Sequence, residues 1–261
     1  MVKPVRLALL ALFVACSSKT ASTPHGPDDG IKALPMDARA MPPGPYRVDA
    51  KVPHGDVQIR VEWKDVPVVA RASPGRTACG TAKPSSVSPT TTWGIPDAVV
   101  MIEVDHGKEL AAIPARIVLD HCALSPRIAI ASSLVVASAM DAPSQVAFAR
   151  VGNARPLAAP SKPTTEAIAR LPVIGHEVEL PIEPSSLLAV TSTDDEALVI
   201  AAPTPYFAIT EANGQVVVRD VPVGTFEVSA LLPARAGQRA RTAKASVTVA
   251  ANALAEVTLS L

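Results

Sequence analysis

Aromatic residues and net charge are both scarce in this sequence. Phe, Trp and Tyr make up 3% of the 261 residues, and 24 basic residues balance 24 acidic ones. A neutral chain lacks the positive surface that binds nucleic acid, and it is also unlike an acidic disordered tail. The length suffices for two small domains, or for one large β-sandwich with an appended module.

Long helices are a second expected absence. Twenty-six residues are proline, roughly twice the average frequency, and proline interrupts helices but is tolerated in turns and at sheet edges. The apolar run at residues 7–15 is shorter than the roughly 20 residues that a membrane-spanning helix needs. The sequence therefore predicts an all-β protein of short strands packed as antiparallel β-sandwiches.

The apolar run at residues 7–15 has the properties of a signal-peptide core. Lys3 and Arg6 precede it, and it ends in the letters FVAC. This ending resembles the lipobox of bacterial lipoproteins, with Phe13 where an aliphatic residue is usual. The resemblance implies that Cys16 carries a lipid anchor. The alternative is an ordinary secretory signal followed by an unrelated cysteine.

The lipoprotein resemblance also implies a location. Ser17 rather than aspartate follows Cys16, which implies the outer membrane of the cell envelope. Residues 1–15 are predicted to be the signal peptide. Residues 16–51 are predicted to be a flexible tether, because Ser, Thr, Pro, Asp and Gly fill much of this segment without periodicity.

The rest of the chain shows strand patterns separated by turns. Residues 57–63 alternate between apolar and polar, which predicts a strand with one buried face. Residues 98–104 are almost continuously apolar, which predicts a strand buried on both faces. Asn213 and Gly214 predict a tight hairpin turn.

Two C-terminal motifs support a resemblance to known families. Residues 210–216 and 221–228 resemble the carboxypeptidase-regulatory, transthyretin-like β-sandwich modules. Residues 205–210, PYFAIT, resemble the junction at which a family of exported proteins joins a cupredoxin-like domain to such a module. The resemblance implies a cupredoxin-like β-sandwich lobe at residues 52–204 and a carboxypeptidase-regulatory-like module at residues 205–261.

The cupredoxin resemblance also locates a metal site, at positions where this chain has different residues. Copper in such sites is held by imidazole and thiolate ligands. The resemblance places histidines at Arg127, Gln145 and Thr204, and a Cys and a His within residues 189–195, where this sequence has neither. The copper ligands are therefore expected to be lost, with no metal and no cofactor bound. The fold can persist without its site.

Cys79 and Cys122 are the two cysteines beyond the signal segment, and both fall in motifs of the cupredoxin resemblance. An exported compartment is oxidising, so two remaining cysteines favour a disulfide; two buried free thiols are the alternative. His121 precedes Cys122, but successive residues on a strand point to opposite faces. No nucleophile and base pair is therefore predicted, and no catalytic residue is assigned.

The other candidate ligands are dispersed. The five histidines, at positions 25, 54, 106, 121 and 176, include no local ligand pair, although a site assembled in three dimensions stays open. The acidic run at residues 193–196, TDDE, matches no calcium-loop spacing and is interpreted as a solvated turn.

These features together favour a non-enzymatic envelope lipoprotein that acts as a binding or scaffold protein. Its expected partners are the membrane, through the lipid anchor, and an unknown envelope protein or polysaccharide, with no nucleic acid. The alternative from another class is a periplasmic copper-binding or electron-transfer protein of the cupredoxin-like type. A third hypothesis is an enzyme of unknown type. Such an enzyme would need a pocket that brings the dispersed histidines and carboxylates together.

Overall fold

The computed structural model describes residues 46–64, 76–80, 93–110, 112–234 and 239–261. These residues belong to one compact unit, Pro43–Leu261. Across the described ranges the chain forms strands and no helix, and hence no apolar helix that could cross a membrane. The prediction of an all-β fold is confirmed. The strands are β1 (Tyr46–Val48), β2 (His54–Glu62), β3 (Val99–Ile102), β4 (Lys108–Leu110), β5 (Pro114–Asp120), β6 (Ala123–Ser125), β7 (Ile128–Ala131), β8 (Ser133–Ser138), β9 (Ser144–Asn153), β10 (Thr164–Leu171), β11 (Glu177–Pro181), β12 (Ser186–Thr191), β13 (Glu196–Ala201), β14 (Phe207–Ile209), β15 (Gln215–Pro222), β16 (Gly224–Leu232), β17 (Arg241–Val249) and β18 (Leu254–Ser260).

Four larger sheets account for the architecture. In spatial order their strands are β15-β2-β18, then β14-β3-β16-β17, then β10-β9-β12-β13-β7, and finally β11-β8-β5-β6. One apolar core lies between the first and second sheets, and another lies between the third and fourth. A third core joins the second sheet to the third. We call the first two sheets the first sandwich and the other two the second sandwich.

The start of the folded part differs from the tether prediction. The signal peptide, Cys16 and most of the tether lie outside the described residues. Within the predicted tether, however, Tyr46–Val48 forms β1 and pairs antiparallel with β4. The Nζ atom of Lys108 lies 3.7 Å from the centroid of the Tyr46 ring, and such a contact between a cation and an aromatic ring is stabilising. The folded part therefore includes residues 46–51.

The alternating pattern at residues 57–63 forms β2, as predicted. Val57, Ile59 and Val61 point into the core of the first sandwich and are fully buried, whereas the residues between them are partly exposed. Burying each such aliphatic side chain contributes roughly 1.5–3 kcal/mol relative to exposure. β2 lies in the middle of its sheet, antiparallel to β15 and parallel to β18.

β3 is buried on both faces, which confirms the prediction for residues 98–104. Val100 and Ile102 point into the core of the first sandwich. Val99 and Met101 point the opposite way, into the core between the sandwiches. The continuous apolar pattern follows from this position, because a strand in an inner layer presents no face to water.

The predicted boundary between residues 204 and 205 does not coincide with the boundary between the two sandwiches. β2 and β3 precede that boundary, yet they share sheets with β14 to β18, which follow it. Residues 112–204 contain β5 to β13, the strands of the second sandwich. The second sandwich is therefore inserted between strands of the first.

The tight turn predicted at Asn213 and Gly214 is present, but it does not close a hairpin. The N–H of Gly214 donates to the carbonyl oxygen of Glu211 at 2.9 Å, and Gly214 has a φ of 77°, a conformation that favours glycine. A Cβ atom on Gly94 would lie 1.9 Å from the carbonyl oxygen of Asn213, so the turn contacts that segment through backbone atoms. The turn carries the chain from β14 in the second sheet to β15 in the first.

Candidate functional site

One end of the second sandwich brings together several of the polar residues that the sequence singled out. β5 and β6 form an antiparallel hairpin there, β12 and β13 form a second one, and β7 runs parallel to β13. We call this region the capped end, because residues 76–80 are bonded to it. Its polar and sulfur-bearing residues are Cys79, Asp120, His121, Cys122, Arg127, Asp194 and Asp195.

Cys79 and Cys122 form a disulfide, as predicted, with their Cα atoms 5.7 Å apart. Cys79 lies in the connection between β2 and β3 of the first sandwich, whereas Cys122 lies in the β5–β6 turn of the second. A second bond supports the same attachment, since the N–H of Ala78 donates to Oδ2 of Asp194 at 2.8 Å. A segment that belongs in sequence to the first sandwich is thus fixed to the second.

Asp195 is buried, so the interpretation of residues 193–196 as a solvated turn is wrong for this one residue, whereas Thr193 and Glu196 are exposed. Its carboxylate pairs with the guanidinium of Arg127. Its oxygens also accept hydrogen bonds from the N–H groups of Leu124 and Glu196, both at 2.8 Å. A buried carboxylate needs such partners because it has lost its water. The pKa of the neighbouring Glu196 is raised by partial desolvation of its carboxyl group and, to a lesser extent, by the charge of Asp195.

His121 and Cys122 lie in a turn and not, as expected from the sequence, on a strand. Both residues have positive φ, 46° and 64°, a conformation that is uncommon for side chains other than those of Gly, Asn and Asp. Nδ1 of His121 lies 2.7 Å from Oδ1 of Asp120. Because Cys122 is held in the disulfide, its sulfur is not a free nucleophile.

The residues at the expected copper positions do not fit copper. Arg127 is paired with Asp195, Gln145 is exposed on β9, and Thr204 is buried with its hydroxyl donating to a backbone carbonyl at 2.8 Å. Residues 189–195 supply carboxylate and hydroxyl oxygens but no imidazole or thiolate. Copper in cupredoxin sites requires those softer ligands, so these positions do not form such a site.

The histidines build no metal-holding group of three or more ligands in the part of the chain that the structure describes. His54, His106 and His121 each lie beside an aspartate, at 3.6, 3.1 and 2.7 Å, but they belong to three separate segments. His176 lies in the connection between β10 and β11, and His25 is outside the described ranges. No group of three or more His, Cys, Asp or Glu side chains within these ranges can hold a metal ion.

A second polar cluster surrounds Lys108 on the first sandwich. Its Nζ atom lies 3.7 Å from the ring centroid of Tyr46 and 4.6 Å from that of Tyr206. Burial lowers the pKa of Lys108 to about 8, against the opposing influence of Asp220 and Asp56. Burial also raises the pKa of Tyr206. Sequence reasoning missed this cluster, because its members come from distant parts of the chain.

Comparison with known proteins adds no family to this description. No family matches the chain, and neither a curated protein nor a solved structure gives a significant match. The fold defines an all-β protein of β-sandwich class. Any more specific assignment has to be argued from its own residues.

Proposed function

We propose that the protein is a non-enzymatic lipoprotein of the outer membrane, anchored through Cys16, that acts as a binding or scaffold protein. In this proposal the second sandwich is a cupredoxin-like lobe without its copper site, and the first sandwich is the transthyretin-like module. The ion pair of Arg127 and Asp195 carries the proposal. It occupies positions that the resemblance gives to copper ligands, and its hydrogen bonds are typical of structural use.

β10 and the connection that follows it support a binding role. Ile168, Val173 and Ile174 are 64%, 58% and 59% exposed, and β10 is an edge strand of the third sheet. An exposed edge with apolar side chains favours pairing with another polypeptide. We favour an envelope protein over a polysaccharide on this edge, because aliphatic side chains offer no hydrogen-bond partners to hydroxyl groups.

Charging this edge is expected to reduce cross-linking to an envelope protein. With the full lipidated chain in its native envelope, Ile168→Lys combined with Val173→Lys should lower the yield of the cross-linked partner about tenfold, since two lost aliphatic contacts correspond to at least that change in affinity. The matched control is Val217→Lys, on β15 of the first sandwich, where the valine is also exposed. Equal yields from the wild type and the edge variant would contradict a binding role for this edge.

Copper(II) is expected to give no thiolate charge-transfer band with the purified mature protein. Both cysteines of the folded part are joined in the disulfide, and this sequence has no histidine at the positions that the resemblance gives to the copper ligands. A titration followed by visible absorption checks this expectation, with the variant Cys79→Ser, Cys122→Ser as the matched control that should give the same spectrum. A strong band in the wild-type protein alone would support the copper-binding or electron-transfer alternative.

A further inference from the structure

The disulfide at the capped end joins two residues of different exposure. Cys79 is exposed, and Cys122 is partly buried. Disulfides that are fixed structural elements resist reduction, whereas exposed ones are more often labile. Because Cys79 is the more exposed of the two residues, we expect an external thiolate to attack its Sγ, with Cys122 as the leaving sulfur.

The segment that contains Cys79 forms a turn with hydrogen bonds between its own residues. The N–H of Gly80 donates to the carbonyl oxygen of Thr77 at 2.9 Å, and Nη1 of Arg76 donates to the carbonyl oxygen of Gly80 at 2.8 Å. Gly80 has a φ of 76°, which suits glycine in a turn. Because these bonds are internal to residues 76–80, the turn does not depend on the disulfide for its conformation.

The attachment of this turn to the second sandwich combines one covalent bond with non-covalent contacts. Besides the disulfide, the N–H of Ala78 donates to the carboxylate of Asp194 at 2.8 Å, and the side chain of Thr77 is buried. By contrast, Cys122 and Asp194 lie in turns whose flanking strands belong to full sheets with their own core. Breaking the disulfide would therefore loosen the turn and leave the sandwich beneath it assembled.

We propose that the disulfide of Cys79 and Cys122 is a thiol-exchange site that attaches and releases the turn at residues 76–80. A thiolate of a dithiol reductant attacks Sγ of Cys79, the bond between the two sulfurs breaks, and Cys122 leaves as a thiolate that takes a proton from water. The second thiol of the reductant then attacks the mixed disulfide. The reductant is oxidised to its disulfide, and the protein gains two electrons and two thiols. This regulation goes beyond the proposed binding role and does not depend on it.

The proposal is tested with dithiothreitol on the full chain in detergent, without denaturant. We expect both thiols to become reactive to an alkylating agent, as counted by mass, while the far-ultraviolet circular dichroism stays unchanged. Hydrogen exchange at the amide of Ala78 should be at least about tenfold faster in the reduced protein, because the covalent constraint next to it is gone. Removal of the reductant and reoxidation should restore slow exchange.

Two variants separate release of the turn from general loosening. Asp194→Ala removes the acceptor for Ala78 and should speed reduction at least about threefold, because a hydrogen bond to a carboxylate is among the stronger ones. Asp141→Ala, at an exposed position between β8 and β9, should leave the rate unchanged. Thiols that appear only in denaturant, or only as the circular dichroism is lost, would overturn the proposal. So would unchanged exchange at Ala78 after reduction.

Discussion

Replacing Asp195 with alanine is expected to lower the free energy of unfolding by about 3–5 kcal/mol, which is typical when one partner of a buried ion pair is removed. The guanidinium of Arg127 would keep its charge without its counterion. The N–H groups of Leu124 and Glu196 would lose their acceptor. Denaturant unfolding with an unchanged m-value would show that the loss is in stability rather than in the extent of unfolding.

The contribution of the ion pair can be separated from that of the hydrogen bonds. Combining Arg127→Met with Asp195→Ala removes both charges, so this double variant should be more stable than Asp195→Ala alone. Asp141→Ala, at an exposed position, should change stability by less than about 0.5 kcal/mol. If Asp195→Ala lowers the free energy of unfolding by less than about 1 kcal/mol, this carboxylate does not stabilise the capped end as predicted.

The importance of Asp195 could not be predicted from the sequence. The acidic residues beside it indicate a solvated turn. The residues that pair with its carboxylate in the buried state are distant along the chain, so no local pattern reveals them. Arg127 and Leu124 precede Asp195 by 68 and 71 residues. A short acidic run looks the same whether it faces water or a guanidinium, so only the folded arrangement distinguishes the two.

Local patterns nevertheless predicted the strands that carry the cores. Burial of one face of a strand gives the alternation at residues 57–63, and burial of both faces gives the continuous apolar run at residues 98–104. Both patterns can be recognised from consecutive residues alone. Strand pairing is different. That β18 lies parallel to β2, across almost the whole chain, leaves no local pattern, so the insertion of one sandwich into the other was not predicted.

The disulfide was predicted for a reason other than geometry. Two leftover cysteines in an oxidising compartment favour a pair wherever the fold brings them together, and the structure brings Cys79 to Cys122. What the sequence could not indicate was the role of the link. The two cysteines are 43 residues apart, and by the loop-entropy model closing a loop of that length stabilises the fold by about 4 kcal/mol. Here the disulfide links the two sandwiches.

The core between the sandwiches leads to a second large effect, at Leu231. This side chain is fully buried against the third sheet, whereas Leu232, the next residue of β16, is fully buried in the first sandwich. Replacing either with alanine should cost about 2–5 kcal/mol, the usual range for a buried leucine. Only Leu231→Ala should also weaken the coupling between the sandwiches, because successive strand residues point to opposite faces.

Two spectroscopic probes distinguish these variants. Both tryptophans, Trp63 and Trp93, lie in the first sandwich, so their fluorescence reports on its unfolding alone, while far-ultraviolet circular dichroism reports on all the strands. In Leu231→Ala the two denaturant transitions should separate. In Leu232→Ala they should coincide, as in the wild-type protein, because coincident transitions mark cooperative unfolding. Coincident transitions in Leu231→Ala would show that the sandwiches are coupled mainly through other contacts, with the disulfide between Cys79 and Cys122 as the first to remove.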